Sequence, residues 1–103
     1  MEKELWVKSA VLPLFQQGKD LEVRICNNHT SSFRSGDVLI INGQLRRSLR
    51  DVRRYRDFEK MLAAEKPERI GPGHSADKIL HALRSVYSKD SENQGVLVFE
   101  LEP

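Results

Sequence analysis

One short segment in the first quarter of the chain, with the sequence LEVRI, constrains the fold more than any other feature. Leu21, Val23 and Ile25 alternate with charged residues, which is the period of a half-buried β-strand. The same period sends Glu22 and Arg24 together to the opposite face, roughly 7 Å apart along the strand. A charged pair on one strand face is either a solvated surface with a weak ion pair or a place where a ligand binds.

The composition is that of one domain, spanning residues 1–103, with a polar exterior. Hydrophobic residues make up 39% of the chain and charged residues 31%, and no apolar run approaches the length of a membrane span. The N-terminal residues lack a signal-peptide pattern, so we expect a cytoplasmic protein with no membrane contact. The single cysteine, Cys26, excludes an internal disulfide, and the scattered histidines indicate neither a metal site nor a cofactor.

The order of apolar and turn segments predicts β-α-β-β-β-α-α-β, a small α+β domain. Asn42-Gly43 is a strong hairpin signal. The predicted strands are Leu5–Lys8, Leu21–Ile25, Val38–Ile41, Leu45–Tyr55 with a bulge near Arg50-Asp51, and Val96–Leu101. The predicted helices follow the N-caps Ser9, Asp57 and Ser75. The last helix carries an apolar stripe that we expect to be buried, formed by Ile79, Leu80, Leu83, Val86 and Tyr87.

Several segments together resemble the ASCH domain, a branch of the PUA-like β-barrels. Lys19, Glu22 and Arg24, preceded directly by a glycine, keep the K-x-x-E-x-R spacing of the family signature G-x-K-x-x-E-x-R. Further segments resemble ASCH motifs in the same order along the chain: Phe33–Leu39, Val52–Leu62, Ile70–Gly73 and Gly95–Phe99. The resemblance implies a small PUA-like β-barrel with flanking helices, and a charged cleft beside the barrel that is lined by Lys19, Glu22 and Arg24.

The side chains expected in this cleft are suited to different roles. Lys19 can act as a base or nucleophile where its surroundings favour the neutral amine, and it is the one catalytic residue that we predict. Glu22 can accept hydrogen bonds from the amino edge of a base, and Arg24 can bind a carbonyl or a phosphate. Trp6 and Lys8 share a face and can stack on or contact a base. The alternative is a structural ion-pair network, with Trp6 in the core.

A second predicted site lies where a glycine-containing loop enters the last predicted helix. Gly73, His74 and Ser75 precede that helix, and free backbone donors at a helix N-terminus can bind an anion. The loop lacks the Gly-Lys-Ser/Thr ending of a P-loop, so an ordinary capped turn is the alternative.

A third predicted site is a run of arginines. Between residues 46 and 56 the chain has six arginines and one aspartate, although its net charge is only +2. Such a strip can attract phosphates. The residues predicted to contact nucleic acid are Arg46, Arg47, Arg50, Arg53 and Arg54. The alternative is a strand edge that positive charge protects from pairing with other chains.

Together these features favour binding of RNA or of a nucleoside, including a modified one, in the charged cleft. The resemblance also implies two enzymatic alternatives. Some small ASCH proteins hydrolyse the amide of N4-acetylcytidine with a lysine, a threonine three residues later and a separate glutamate. Lys19 matches that lysine, whereas Glu22 occupies the threonine position. The second alternative is RNA cleavage, which has been attributed to some ASCH proteins.

Overall fold

The computed structural model describes all residues, Met1–Pro103, as one α+β unit. Its five strands are β1 (Glu2–Leu5), β2 (Leu21–Ile25), β3 (Val38–Ile41), β4 (Leu45–Tyr55) and β5 (Val96–Glu102). Its four α-helices are α1 (Phe58–Ala64), α2 (Pro67–Ile70), α3 (Ala76–Val86) and α4 (Lys89–Glu92). Short 3₁₀ turns cover Leu12–Gln16 and Thr30–Ser32. None of the helices is long and apolar enough to cross a membrane.

The five strands form one open mixed sheet in the order β1-β3-β4-β5-β2. β1 is parallel to β3, and the other neighbours are antiparallel. The predicted PUA-like barrel is therefore wrong, because β1 and β2 remain edge strands that do not pair with each other. β1 ends after four residues at Leu5, so it offers little backbone for closure. The polar contact from β2 to the chain beyond β1 is made by the Arg24 side chain, which donates to the carbonyl of Trp6.

The sheet is covered on both faces by two separate apolar clusters. Alternate residues of β5 enter different clusters, with Phe99 in one and Val98 in the other, as the strand period requires. Phe15 and Phe33, from the N-terminal segments, complete the first cluster. The helices complete the second cluster with Phe58, Met61, Ile70 and Ile79. This two-sided burial explains why β5 lacks the polar alternation of an exposed strand.

The predictions of the hairpin turn, of the bulge and of the caps at Asp57 and Ser75 are confirmed. Asn42 and Gly43 have φ angles of 52° and 67°, the left-handed pair that a tight hairpin turn between β3 and β4 requires. The pairing of β4 with β5 shifts register between Leu49 and Asp51, which is the predicted bulge. The side chain of Asp57 accepts from Lys60 N at 2.8 Å and that of Ser75 from Lys78 N at 3.3 Å, so both cap their helices.

The first predicted strand and helix are misplaced. β1 covers Glu2–Leu5, rather than Leu5–Lys8, because its register on β3 ends where Leu5 meets Ile41. Beyond that point the backbone of Val7 bonds to the side chain of Asn42 instead of to a strand. The helix predicted after Ser9 is only the 3₁₀ turn, which follows Val11 and has a proline in its first turn.

Asp37 lies in the turn before β3, and we expect protonation of its carboxylate to lower the stability of the fold in acid. It accepts hydrogen bonds from the Lys3 ammonium and from Arg34 N–H, both at 2.8 Å. These bonds lower the pKa of Asp37 from its ordinary value of 3.8 to about 2, and the bond to Lys3 has the largest effect. Because the pKa of Asp37 is lower in the folded state, its ionised carboxylate stabilises the fold above pH 3.8. This contribution is lost as the pH falls from 3.8 towards about 2.

The Asp37→Asn variant should therefore lose stability less steeply than the wild type across that pH interval. Urea unfolding followed by circular dichroism at a series of acidic pH values measures the difference. Glu4→Gln, at an exposed carboxylate without an ion pair, is the matched control and should keep the wild-type slope. A wild-type slope in Asp37→Asn would show that the Lys3 contact does not stabilise the fold.

Candidate functional site

A cleft of about 410 Å³ lies between the segment after β1, strand β2 and helix α3. Five residues predicted for the site line this one cleft: Trp6, Lys8, Lys19, Glu22 and Arg24. Most of the remaining wall is apolar. Sites for small organic ligands commonly combine such a wall with a few polar groups.

Lys19, Glu22 and Arg24 form a continuous ion-pair chain on and beside β2. The Lys19 ammonium lies 3.0 Å from Glu22 Oε1, and Glu22 Oε2 accepts from Arg24 Nε at 2.9 Å and lies 2.8 Å from Arg24 Nη2. Lys19 is 5% exposed and Glu22 is 8% exposed, whereas more of the Arg24 side chain reaches solvent. Glu22 therefore joins two cations, and Arg24 is the end of the chain that a ligand can reach.

The ammonium of Lys19 uses all its hydrogen-bonding capacity within the protein. Besides Glu22, it donates to the carbonyl of Leu21 at 2.5 Å and to that of Ile70 at 2.8 Å. An ammonium has three donors, and these three acceptors match them. The contact to Ile70 ties β2 to α2, so this geometry describes a lysine that fixes the floor of the cleft.

Arg24 keeps one nitrogen for a ligand. Its Nε donates to Glu22 Oε2, and its Nη2 lies 2.8 Å from the same oxygen and donates to the carbonyl of Trp6 at 2.6 Å. Its Nη1 has no hydrogen-bond partner within the protein. A guanidinium held by two groups presents its remaining N–H donors in a fixed direction, which suits a carbonyl or phosphate acceptor.

Trp6 is 63% exposed, although a lone tryptophan in a small domain is commonly buried. Its backbone is held by Arg24, and the next residue, Val7, is held by Asn42. Asn42 Oδ1 accepts from Val7 N at 2.8 Å, and Asn42 Nδ2 donates to Val7 O at 2.9 Å. The sequence signal at Asn42 indicated only a hairpin, so its second role in placing the Trp6 segment was missed.

Asn42→Gly should separate these two roles, because glycine preserves the left-handed turn but removes both bonds to Val7. We expect the unfolding free energy to fall by about 1–2 kcal/mol, at about 1 kcal/mol per hydrogen bond. The fluorescence anisotropy of Trp6, the only tryptophan, should also decrease as its segment loosens. Asn28→Gly, at an exposed loop position without side-chain hydrogen bonds, should change neither quantity. Unchanged anisotropy in Asn42→Gly would mean that Asn42 does not position Trp6.

The apolar wall of the cleft comes from the stripe on α3 that was predicted to be buried. Ile79 is buried, and Leu80, Leu83 and Tyr87 pack against the same apolar cluster, so the prediction is wrong only at Val86, which is 55% exposed. Leu83, Val86 and Tyr87 also line the cleft. Burial raises the pKa of Tyr87, with nearby Arg24 opposing the rise and Glu22 adding to it, so the hydroxyl is neutral at pH 7. Amphipathic spacing identifies an apolar face but does not tell a core from an open cleft.

The loop at Gly73, His74 and Ser75 does not line the cleft. Ser75 caps α3, as the capped-turn alternative requires. His74 N–H donates to the carbonyl of Gly71, and Gly73 N–H donates to Glu68 Oε2 at 3.2 Å. The structure thus separates these three residues from the charged trio, and two of their backbone donors already have partners.

The arginine strip lies along β4 but does not form one charged surface. Arg46 and Arg47 are strand neighbours and face opposite sides of the sheet, as do Arg53 and Arg54. Arg46 pairs with Glu2 at 2.7 Å. Arg50 pairs with Glu100 and Glu102. Arg47 and Arg54 form no ion pair, and Arg54 donates to the carbonyl of Gln94.

Arg53 is the most constrained residue of the strip. It donates to both oxygens of Glu65, at 2.6 and 2.9 Å, and also pairs with Glu100 and Asp51. The Arg53 hydrogen bonds lower the pKa of Glu65, and those of Glu65 raise the pKa of Arg53. Tyr55 OH also donates to Glu65 at 2.5 Å. Arg53 therefore ties β4 to the C-terminal end of α1.

Comparisons with known proteins identify structural relatives without a described function. No protein-family model and no curated protein matches this chain. The crystal structure of hypothetical protein PH0355 is similar, with a TM-score of 0.90, 26% identity, and coverage of 100% of this chain and 99% of that one. The solution NMR structure of protein PF0455 from Pyrococcus furiosus has a TM-score of 0.84 and 29% identity, over 100% of this chain and 97% of that one.

Proposed function

We propose that this chain is an ASCH-type binding protein that holds one base, from single-stranded RNA or from a free or modified nucleoside, in the cleft. One observation carries the proposal: the exposed ring of Trp6 and the free Nη1 of Arg24 line the same apolar cleft. We place this function in the cytoplasm, where RNA and nucleosides are available and Cys26 stays reduced.

The chemistry of a base matches the chemistry of this cleft. A base has two apolar faces, which an aromatic ring and aliphatic side chains can cover, and each stacked base contributes about 1–3 kcal/mol to binding. Its edge carries carbonyl oxygens or ring nitrogens that accept hydrogen bonds from a guanidinium. The neutral hydroxyl of Tyr87 has no hydrogen-bond partner within the protein and can serve as donor or acceptor to the same edge.

The ion-pair chain favours binding over hydrolysis. A lysine that acts as base or nucleophile needs a lone pair directed at its substrate. The three donors of Lys19 are directed at Leu21, Ile70 and Glu22, away from an incoming ligand. Restoring a lone pair would leave one of these acceptors without its partner, at a cost typical of an unmade buried hydrogen bond.

Titration of Trp6 fluorescence, together with thermal unfolding, tests the proposal. The ligands are the four common nucleosides, N4-acetylcytidine and short single-stranded RNAs of each base. We expect quenching of Trp6 and a concentration-dependent rise in Tm with at least one of them. Arg24→Gln should weaken binding, whereas Arg34→Gln, an exposed arginine outside the cleft, should not. Quenching by no ligand of the series contradicts the proposal, and release of acetate from N4-acetylcytidine would replace it with hydrolysis.

A further inference from the structure

The charges that line the cleft are strongly unbalanced. Lys8, Lys19 and Arg24 contribute three cations, and Glu22 is the only carboxylate in the lining. The cleft therefore carries a net charge of +2, which equals the net charge of the whole chain. Elsewhere the positive and negative charges cancel, so the excess positive charge of this protein is concentrated at its candidate binding site.

Two of these cations can still contact a ligand after the internal ion pairs have formed. Glu22 neutralises one charge of the Lys19–Arg24 pair, and Lys19 is buried. Arg24 keeps its free Nη1, and Lys8 is exposed and forms no ion pair. Lys8 also lies two residues after Trp6, so the aromatic ring and Lys8 belong to one segment, and Arg24 of β2 binds this segment at the Trp6 carbonyl.

We infer that the cleft takes its base together with an attached phosphate, rather than as an uncharged nucleoside; this rests on the proposed function. The base lies against Trp6 and the α3 wall, and the phosphate is held by Lys8 and one N–H of Arg24 Nη1, whose second N–H remains for the edge of the base. Charge-assisted hydrogen bonds are about twice as strong as neutral ones, and a concave site with one sign of charge concentrates anions. An uncharged nucleoside would leave Lys8 without a counter-charge and the Lys19–Glu22–Arg24 chain with one excess positive charge.

Matched ligand pairs test this inference by Trp6 fluorescence at low ionic strength. Each nucleoside is compared with its 5′-monophosphate, with inorganic phosphate and with a short oligonucleotide of the same base. We expect the monophosphate to bind about tenfold more tightly than its nucleoside, as one to two charge-assisted hydrogen bonds predict. Higher affinity for the mononucleotide than for the oligonucleotide would identify a free nucleotide as the ligand. Higher affinity for the oligonucleotide would identify an RNA strand. Both results support the inference.

Two variants test whether the preference for the monophosphate over the nucleoside arises in the cleft. Lys8→Gln should reduce the ratio of monophosphate to nucleoside affinity severalfold, and Lys78→Gln, an exposed lysine on α3 outside the cleft, should leave the ratio unchanged. Equal affinities for nucleoside and monophosphate overturn this inference and leave the proposed function intact. Inorganic phosphate that binds as tightly as the monophosphate also overturns it, because the base would then contribute nothing. Absence of binding by all ligands overturns both.

Discussion

Replacing Glu22 with alanine is expected to lower the free energy of unfolding by about 3–5 kcal/mol, the typical cost of breaking a buried ion pair from one side. The variant leaves the ammonium of Lys19, which is 5% exposed, with two carbonyl partners and no counter-charge. Urea unfolding at pH 7, followed by circular dichroism, measures the loss. A loss below about 1 kcal/mol, the range of exposed pairs, would show that the Lys19–Glu22 pair does not hold this part of the fold.

A double variant and a surface control make this result specific. In Lys19→Met with Glu22→Leu both charges are replaced by apolar groups, which is often close to neutral for stability. The double variant should therefore recover part of the loss seen in Glu22→Ala, because it removes the unpaired charge but leaves the carbonyls of Leu21 and Ile70 without the Lys19 donor. Glu2→Ala removes one partner of the exposed pair with Arg46 and should cost less than about 1 kcal/mol.

Replacing Trp6 with alanine is expected to weaken ligand binding about five- to 150-fold, because loss of one stacked base costs about 1–3 kcal/mol. The free energy of unfolding should change little, since the side chain is 63% exposed. Isothermal titration calorimetry measures the affinity without using the tryptophan signal. Trp6→Phe keeps an aromatic face and should retain most of the affinity. Wild-type affinity in Trp6→Ala would exclude Trp6 as the stacking surface.

The same titration separates the cleft from the arginine strip. The double variant Arg46→Ala with Arg50→Ala removes two exposed arginines that already have acidic partners. If the cleft is the main site, this variant should change affinity for a short RNA by less than about twofold, since salt-bridged surface charges add little. A larger loss than that of Trp6→Ala would move the nucleic-acid contact from the cleft to β4.

Local patterns predicted the parts of this structure that local physics decides. The alternation of Leu21, Val23 and Ile25 places β2, and Asn42-Gly43 places the hairpin, because each depends on neighbouring residues alone. The strand elements were therefore largely predictable. The spacing of the charged residues also placed Glu22 and Arg24 on one face of β2, and both line the cleft.

Three features depend on distant contacts and could not be predicted from these patterns. An open or closed sheet depends on whether two edges meet, and no local pattern specifies that β1 stops at Leu5. The end of the α3 stripe lines a cleft, where Val86 is 55% exposed although Ile79 of the same stripe is buried. The arginines of β4 were counted as free cations, whereas Glu65 and Glu100, distant in sequence, pair with Arg53.

Intermolecular nuclear Overhauser effects between the protein and a bound mononucleotide or short RNA test directly whether the base lies in the cleft. We expect contacts from base protons to the indole of Trp6 and to the methyl groups of Leu83 and Val86, which line the cleft together. Base contacts confined to the side chains of Arg47 and Arg54 on β4, with none to Trp6, would contradict this expectation.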